Sequence, residues 1–279
     1  MTQPPEIADR TALARNRRRA EAAPFLHLEA RDELQERLSE VNRRFTAPAI
    51  ITGLGGFWGD FLPGAKIVAD DPVLALEEGA HDLVLHAMAL HWAADPVGQL
   101  VQARRALRPD GLFLGVLFGG QTLAELRAAL AQAEAELTGG LSPRVLPMAE
   151  IRDLGALLQR AGFALPVADA LPLRADYRDL RHLATDLRAM GEGNALAARH
   201  RRPPARTLFD RAEALLRAHH AAPNDRIRIS YDLIFLAGWA PDDSQPRPLR
   251  PGSATARLAD ALGTRETPLP GDAPIRRKD

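Results

Sequence analysis

The chain contains no cysteine. That excludes disulfides, thiolate nucleophiles, cysteine-held iron-sulfur clusters and cysteine zinc sites, and it accords with a reducing compartment. Lysine is almost missing as well: Lys66 and Lys278 are the only two, so nearly all positive charge is arginine. With alanine abundant throughout, this reads as genomic base composition and not as phosphate recognition. Neither sign of charge is in excess, since 36 basic residues face 36 acidic ones. Such a balance leaves no net field to steer nucleic acid or an anionic membrane, so no nucleic-acid partner is expected. No apolar run approaches the roughly 20 residues that cross a bilayer. The N-terminus lacks the apolar stretch of a signal peptide, and Glu6 and Asp9 interrupt the acid-free basic tract of a mitochondrial presequence. A cytoplasmic location is the expectation. Also missing are a G-x-S-x-G elbow, a Walker sequence and H-E-x-x-H, which removes the usual support for hydrolase, nucleotide triphosphatase and zinc protease readings.

What is present begins with size: 279 residues, 46% of them hydrophobic, are enough for one substantial core with extensions. The chain is organised around His81 to Glu125. Leu83 to Leu85 is too short for an isolated helix and opens into a polar loop holding His86, His91 and Trp92, as a strand ending at a site does. Asp95 caps a helix with Pro96 at its first position. That helix runs to about Leu107, and Arg108-Pro109-Asp110-Gly111 supplies a turn into the apolar strand Leu112 to Phe118. Strand, helix, strand is the unit of a doubly wound α/β sheet, whose ligands bind beyond the carboxyl ends of the strands. His86 to Asp95 and Phe118 to Gln121 lie at such ends.

Around this unit the pattern predicts helices over Thr11 to Ala23 and His27 to Phe45, the second with Leu28, Leu34, Leu38, Val41 and Phe45 on one face, covering a sheet edge. Arg15 to Arg19 reads as a solvated helix face before a partner patch. Pro48 to Thr52 is a first strand with a glycine-rich turn after it. Thr122 to Glu125 reads as a capping box for a helix whose buried stripe is Leu123, Leu126, Leu130, Ala133 and Leu137. A helix over Met148 to Arg160, a strand over Leu165 to Leu173 and a helix capped by Asp176 follow, then a helix from Ala205 to His220. Ile227, Ile229, Tyr231 and Leu233 alternate with polar residues in a half-buried strand that closes the sheet. The divisions are an N-terminal helical extension (1–45), the α/β domain (46–240) and a Pro/Arg-rich extended tail (241–279) in which Leu258 to Leu262 forms one short helix or a docking segment.

Several words of the sequence are familiar as a set: Ala89-Leu90-His91-Trp92, Leu107-Arg108-Pro109-Asp110-Gly111 and Phe118-Gly119-Gly120-Gln121-Thr122-Leu123. Leu141-Ser142-Pro143, Asp153-Leu154-Gly155, Ala161-Gly162-Phe163 and Met190-Gly191-Glu192-Gly193-Asn194 continue the series. With them the chain resembles class I S-adenosylmethionine-dependent methyltransferases over most of positions 7 to 240. Within that superfamily it is most similar to the complex I assembly factor of methyltransferase fold and its alphaproteobacterial relatives. The resemblance implies a Rossmann-like sheet and a role in respiratory complex I assembly by hydroxylating an arginine of a subunit. It also implies S-adenosylmethionine as cofactor, a complex I subunit as partner, and membrane association only peripherally through that partner. The alternatives are a non-catalytic chaperone of the same fold, or a methyltransferase of a small molecule or carrier-bound acid.

In such a family Gly53 and Gly55 align with two of the glycines beside the amino-acid end of the cofactor, where a missing Cβ permits close approach. Ile51 stands where the acid would be, and Phe57 where the third glycine would be, so the motif is degenerate. The segment between Gly53 and Asp70 is also too short for the strand-helix unit that family members insert there, since a complete strand-helix-strand unit takes roughly 30 residues. By spacing, Asp70 is the acid that bonds the ribose; by sequence match it faces the adenine, and the second register is favoured. Each missing carboxylate removes a charge-assisted hydrogen bond worth roughly 1.5–3 kcal/mol. Candidate cofactor contacts are Gly53, Gly55, Asp70 and His86; candidate catalytic residues are His86, His91 and Trp92. For His91 and Trp92 the competing expectation is a loop anchor, the ring packing on the sheet while the histidine bonds the backbone. Oxygen activation directs a search for two histidines and a carboxylate; no H-x-D/E motif is present, and no metal ligands are assigned.

Overall fold

The computed structural model describes residues 6–20, 24–246 and 257–265. Two compact units divide the chain, Met1–Asp243 and Ser244–Asp279. The first opens with α1 (Arg10–Arg17) and α2 (Phe25–Glu40), then β1 (Pro48–Thr52), the one-turn α3 (Gly55–Trp58), β2 (Lys66–Val68) and β3 (His81–Ala87). A 3-10 turn over Leu90–Trp92 leads to α4 (Pro96–Ala106), β4 (Leu107–Gly119), α5 (Ala124–Thr138) and α6 (Ile151–Arg160). β5 (Ala164–Tyr177), α7 (Leu180–Ala189), α8 (Arg206–His219), β6 (Ala221–Ala222) and β7 (Arg226–Trp239) complete it. The described part of the second unit holds α9 (Leu258–Leu262); the rest of the predicted extended tail, 247–256 and 266–279, lies outside the described residues.

The strands lie in the order β2-β1-β3-β4-β7-β5, with β6 paired to β7 alone. β2, β1, β3 and β4 are parallel, whereas β7 runs antiparallel between β4 and β5. β7 is therefore interior, and β5 is the edge. Side-chain alternation splits the core in two. Ile50, Leu83, Leu85, Leu112, Leu114 and Phe235 pack with α2, α5 and α8 on one face. Ala49, Ile51, Val84, Phe113, Ile234 and Leu236 pack with α4 and α6 on the other. This is the doubly wound Rossmann-like sheet expected. Between β1 and β2 stands only α3, so the shortened segment is accommodated by bringing Lys66–Val68 directly beside β1, with Ile50 opposite Ile67.

Local chemistry explains the boundaries. Asp95 accepts from the Gly98 amide at 2.8 Å with Pro96 in the first turn of α4, as read from sequence. The Arg108–Gly111 segment is a bulge inside β4, with Asp110 at φ 59° and the pairing jumping from His81–Leu107 to Leu83–Leu112. The capping box is corrected: α5 starts at Ala124 after Leu123 at φ 57°, with no side-chain cap. Thr122 instead accepts from the Asp232 amide at 2.9 Å, and Glu125 from the Ser230 hydroxyl at 2.6 Å, tying the helix start to β7. Asp179, not Asp176, caps α7, because Asp176 lies in β5 and pairs with Arg228 at 2.8 Å. α1 and α2 stop earlier than predicted, at Arg17 and Glu40, and residues 21–23 lie outside the described part. α2 buries Leu26, Ala30 and Leu34 on a sheet face, not on its edge, while Leu28 is exposed. Leu137, at the far end of α5, is exposed too.

Candidate active site

Two cavities concern the candidate residues, one at the carboxyl ends of β1 and β2 and one beside Trp92 and Phe118. The first, about 830 Å³, is lined by Thr52 to Phe57, Ile67 to Asp71 and α1. Part of its wall is a charged side chain of α1. Arg17 reaches in from the last turn of α1 and bonds Asp70 at 2.7 Å, while Arg10 bonds the other oxygen at 3.2 Å. Burial raises the Asp70 carboxyl, but the two guanidinium groups overcome this and hold it below the usual carboxylate range. A Cβ built on Gly53 would lie 2.1 Å from Arg17 Cζ, so only glycine leaves the guanidinium room. Arg17 Nη2 is buried without a hydrogen-bond partner.

Behind this cradle the sequence candidates take distinct positions. His86 lies within β3 and not in the loop; it is fully buried on the α4 side and bonds Gln99 at 2.7 Å. Gln99 Nε2 donates to the carbonyls of Asp70 and Asp71 at 3.2 Å each. The amide is thereby oriented with its oxygen toward the ring, so His86 donates from Nε2. Burial keeps His86 neutral, with its pKa lowered to about 4. The chain His86–Gln99–Asp70 backbone thus props the acid against Arg17.

His91 and Trp92 sit in the 3-10 turn on the other side of Arg17, and both share one acceptor. Trp92 Nε1 donates to Glu192 Oε2 at 2.8 Å, and His91 Nε2 lies 3.4 Å from the same oxygen. The His91 ring also stands edge-on to Phe118 at 5.2 Å. Glu192 was not singled out as a site residue. Burial raises its carboxyl, yet His91, Arg17 and Trp92 together hold it below the usual range. Its loop rests on α1, where a Cβ at Gly191 would lie 3.2 Å from Arg17 Cα and Asn16 donates to the Gly193 carbonyl at 2.9 Å.

Trp92 and Glu192 also form one end of the second cavity, about 380 Å³, whose walls include Phe118, Leu126, Met148 and Tyr231. Gly53, Gly55 and Asp70 are therefore brought together in one cavity, Trp92 belongs to the other, and His86 lines neither. Among the described residues no three His, Asp or Glu side chains converge with metal-ligand geometry.

A parallel sheet continued by an antiparallel strand, with a glycine turn after β1 and an acid after β2, defines a protein of the methyltransferase fold. The family described as methyltransferase domain matches residues 60–115, beginning just past the glycine turn. Over 232 residues the chain is 33% identical to arginine-hydroxylase NDUFAF5, mitochondrial, of Danio rerio, covering 82% of this chain and 72% of that one. The Homo sapiens protein of the same name is 36% identical over 199 residues, 71% of this chain and 57% of that one. A malonyl-[acyl-carrier protein] O-methyltransferase of Laribacter hongkongensis is 33% identical over 189 residues, covering 67% and 61%. The chain belongs to the arginine-hydroxylase NDUFAF5 family within the methyltransferase superfamily.

S-adenosylmethionine is the cofactor that a methyltransferase domain implies. At the amino-acid end, Arg17 Nη2 is a buried donor without a partner, which suits a carboxylate, while the guanidinium itself stands in the space beside Gly53. At the adenosine end, Ile67, Val68 and the Asp70 loop line the same cavity. Ile51 turns into the α4–α6 core, so β1 contributes no carboxylate.

Proposed function

We propose that this protein modifies an arginine side chain of a respiratory complex I subunit during assembly of the complex, acting in the cytoplasm. Membership of the arginine-hydroxylase family supports this, and one observation of the site is in its favour over the carrier-protein methyltransferases. The apolar second cavity ends at a buried carboxylate, Glu192, held by Trp92 at 2.8 Å. A malonyl group would bring a second anion to that end, whereas a guanidinium brings the complementary charge. On the wall Arg144 is paired with Glu134 at 2.6 Å and Arg199 with Asp9 at 2.9 Å, while Arg188 and Arg202 have no acid partner among the described residues, so the preference for a cation rests on Glu192 alone.

S-adenosylmethionine is proposed to bind along Gly53 and Gly55, with Arg17 receiving its carboxylate and the Asp70 loop facing its adenosine. When bound, it supplies an activated sulfonium methyl group. The chain's own residues bind and orient: Asp70 and Arg10 aim Arg17, His86 and Gln99 fix the Asp70 loop, and His91 with Trp92 holds Glu192 ionised at the end of the second cavity. A non-catalytic assembly role is the second reading, with the missing acid at the end of β1 in its support.

Deletion of the gene, followed by mass spectrometry of complex I subunits and measurement of the assembled complex, tests the proposal. Loss of an arginine modification together with loss of assembly is the expected result. Assembly lost with no modified arginine in the parent strain would establish the non-catalytic role, and an unchanged complex with its arginine still modified would overturn both.

A further inference from the structure

We propose that Glu192 is the seat of the substrate guanidinium, and that the arginine enters the second cavity from a protein segment carrying acidic residues beside it. This rests on the arginine reading above and adds to it the contact atom and the character of the flanks. Both neighbouring donors, Trp92 Nε1 and His91 Nε2, meet Oε2, and no described residue donates to Oε1. A planar fork needs an ionised acceptor of this kind. Flat apolar surface adjoins it, with Trp92, Phe118 and Tyr231 on the wall for the guanidinium and its methylene stem to lie against.

The rim is basic, which at first sight opposes a cationic ligand. Arg144 is paired with Glu134, and Arg199 shares Asp9 with Arg201. Arg188 and Arg202 are exposed and have no acid partner among the described residues. A lone arginine would be repelled there, whereas one flanked by aspartate or glutamate satisfies the floor and the rim together. The same rim discriminates against basic stretches of sequence.

The test uses two peptides, acetyl-Asp-Arg-Asp-amide and its citrulline counterpart, which has the same shape without the charge. The chain has three tryptophans, so the indole N–H resonance of Trp92 is a resolvable reporter of the seat. Full-length protein titrated with each peptide should show the Trp92 signal responding to the arginine peptide with an affinity about tenfold or more above that for citrulline. In Glu192→Gln the preference should vanish. Because the ratio of the two affinities is measured on one sample, partial unfolding of the variant lowers both responses and not the ratio. Should the variant fail to fold altogether, the wild-type ratio decides. Equal responses in the wild type, or a preference that survives Glu192→Gln, overturn the assignment. If either occurs while the cellular arginine is still modified, the seat alone is wrong; if no cellular arginine is modified, the underlying reading fails.

Discussion

Arg17 and Gly53 compete for one place: the guanidinium bonded to Asp70 at 2.7 Å fills the volume that any side chain at residue 53 would need. Adding a single methyl there is an overpacking change beside a pinned group. Gly53→Ala should cost about 1–3 kcal/mol of stability. In an Arg17→Ala background the same change should cost almost nothing, a coupling that a double-mutant cycle by chemical denaturation reads directly. Additive effects would show that Arg17 does not occupy the cradle in solution.

Asp70→Asn leaves the nearly buried Arg17 guanidinium without its counter-charge, while Arg10 keeps Asp71 at 3.1 Å. Breaking a buried pair from one side costs about 3–5 kcal/mol. The acid's folded pKa lies below its unfolded value, so its contribution is complete above the unfolded pKa, near 3.8, and is lost as pH falls through the lower folded value. Urea midpoints of wild type and Asp70→Asn should therefore converge in strong acid and differ most at neutral pH.

The histidines act in a milder range. His86 and His27 are both buried neutral, with pKa lowered from 6.5 to about 4, chiefly by burial. The unfolded chain takes up these protons below pH 6.5 and the folded chain does not, so stability falls between pH 6.5 and about 4. For each histidine the loss approaches about 3 kcal/mol, from roughly 1.4 kcal/mol per pKa unit. His86→Gln should flatten that slope, which a denaturation series across the interval measures.

Thr122 offers a test of the corrected helix start. Thr122→Val removes the acceptor of the Asp232 amide and the donor to the Gly119 carbonyl. A loss of about 1–3 kcal/mol is expected, with faster hydrogen exchange at Asp232. A simple helix cap would leave the Asp232 amide protected.

The β3–α4–β4 unit was legible because its signals are local: an Asp-Pro cap, a turn word and apolar runs bounded by both. The β7 strand was legible from strict alternation at Ile227, Ile229, Tyr231 and Leu233. Arg17 was not, because it lies in a run of arginines whose charge says nothing of which one turns inward. The available signal was its place four residues after the buried Leu13, on the same face of α1. Glu192 stood between two glycines in a loop, where periodicity carries no information, and its partner Trp92 is far away in sequence. Thr122 and Glu125 matched the spacing of a capping box, yet strand β7 competed for the same side-chain oxygens.

Whether the cradle beside Gly53 receives a ligand through Arg17 is measured most directly by calorimetric titration of the full-length protein with S-adenosylmethionine, wild type against Arg17→Ala. Saturable binding by the wild type, weakened about tenfold or more in Arg17→Ala, is the expected result, matching the loss of one charge-assisted contact. Undetectable binding by the wild type, or binding that tightens when Arg17 is removed, would contradict it and identify the guanidinium as a plug.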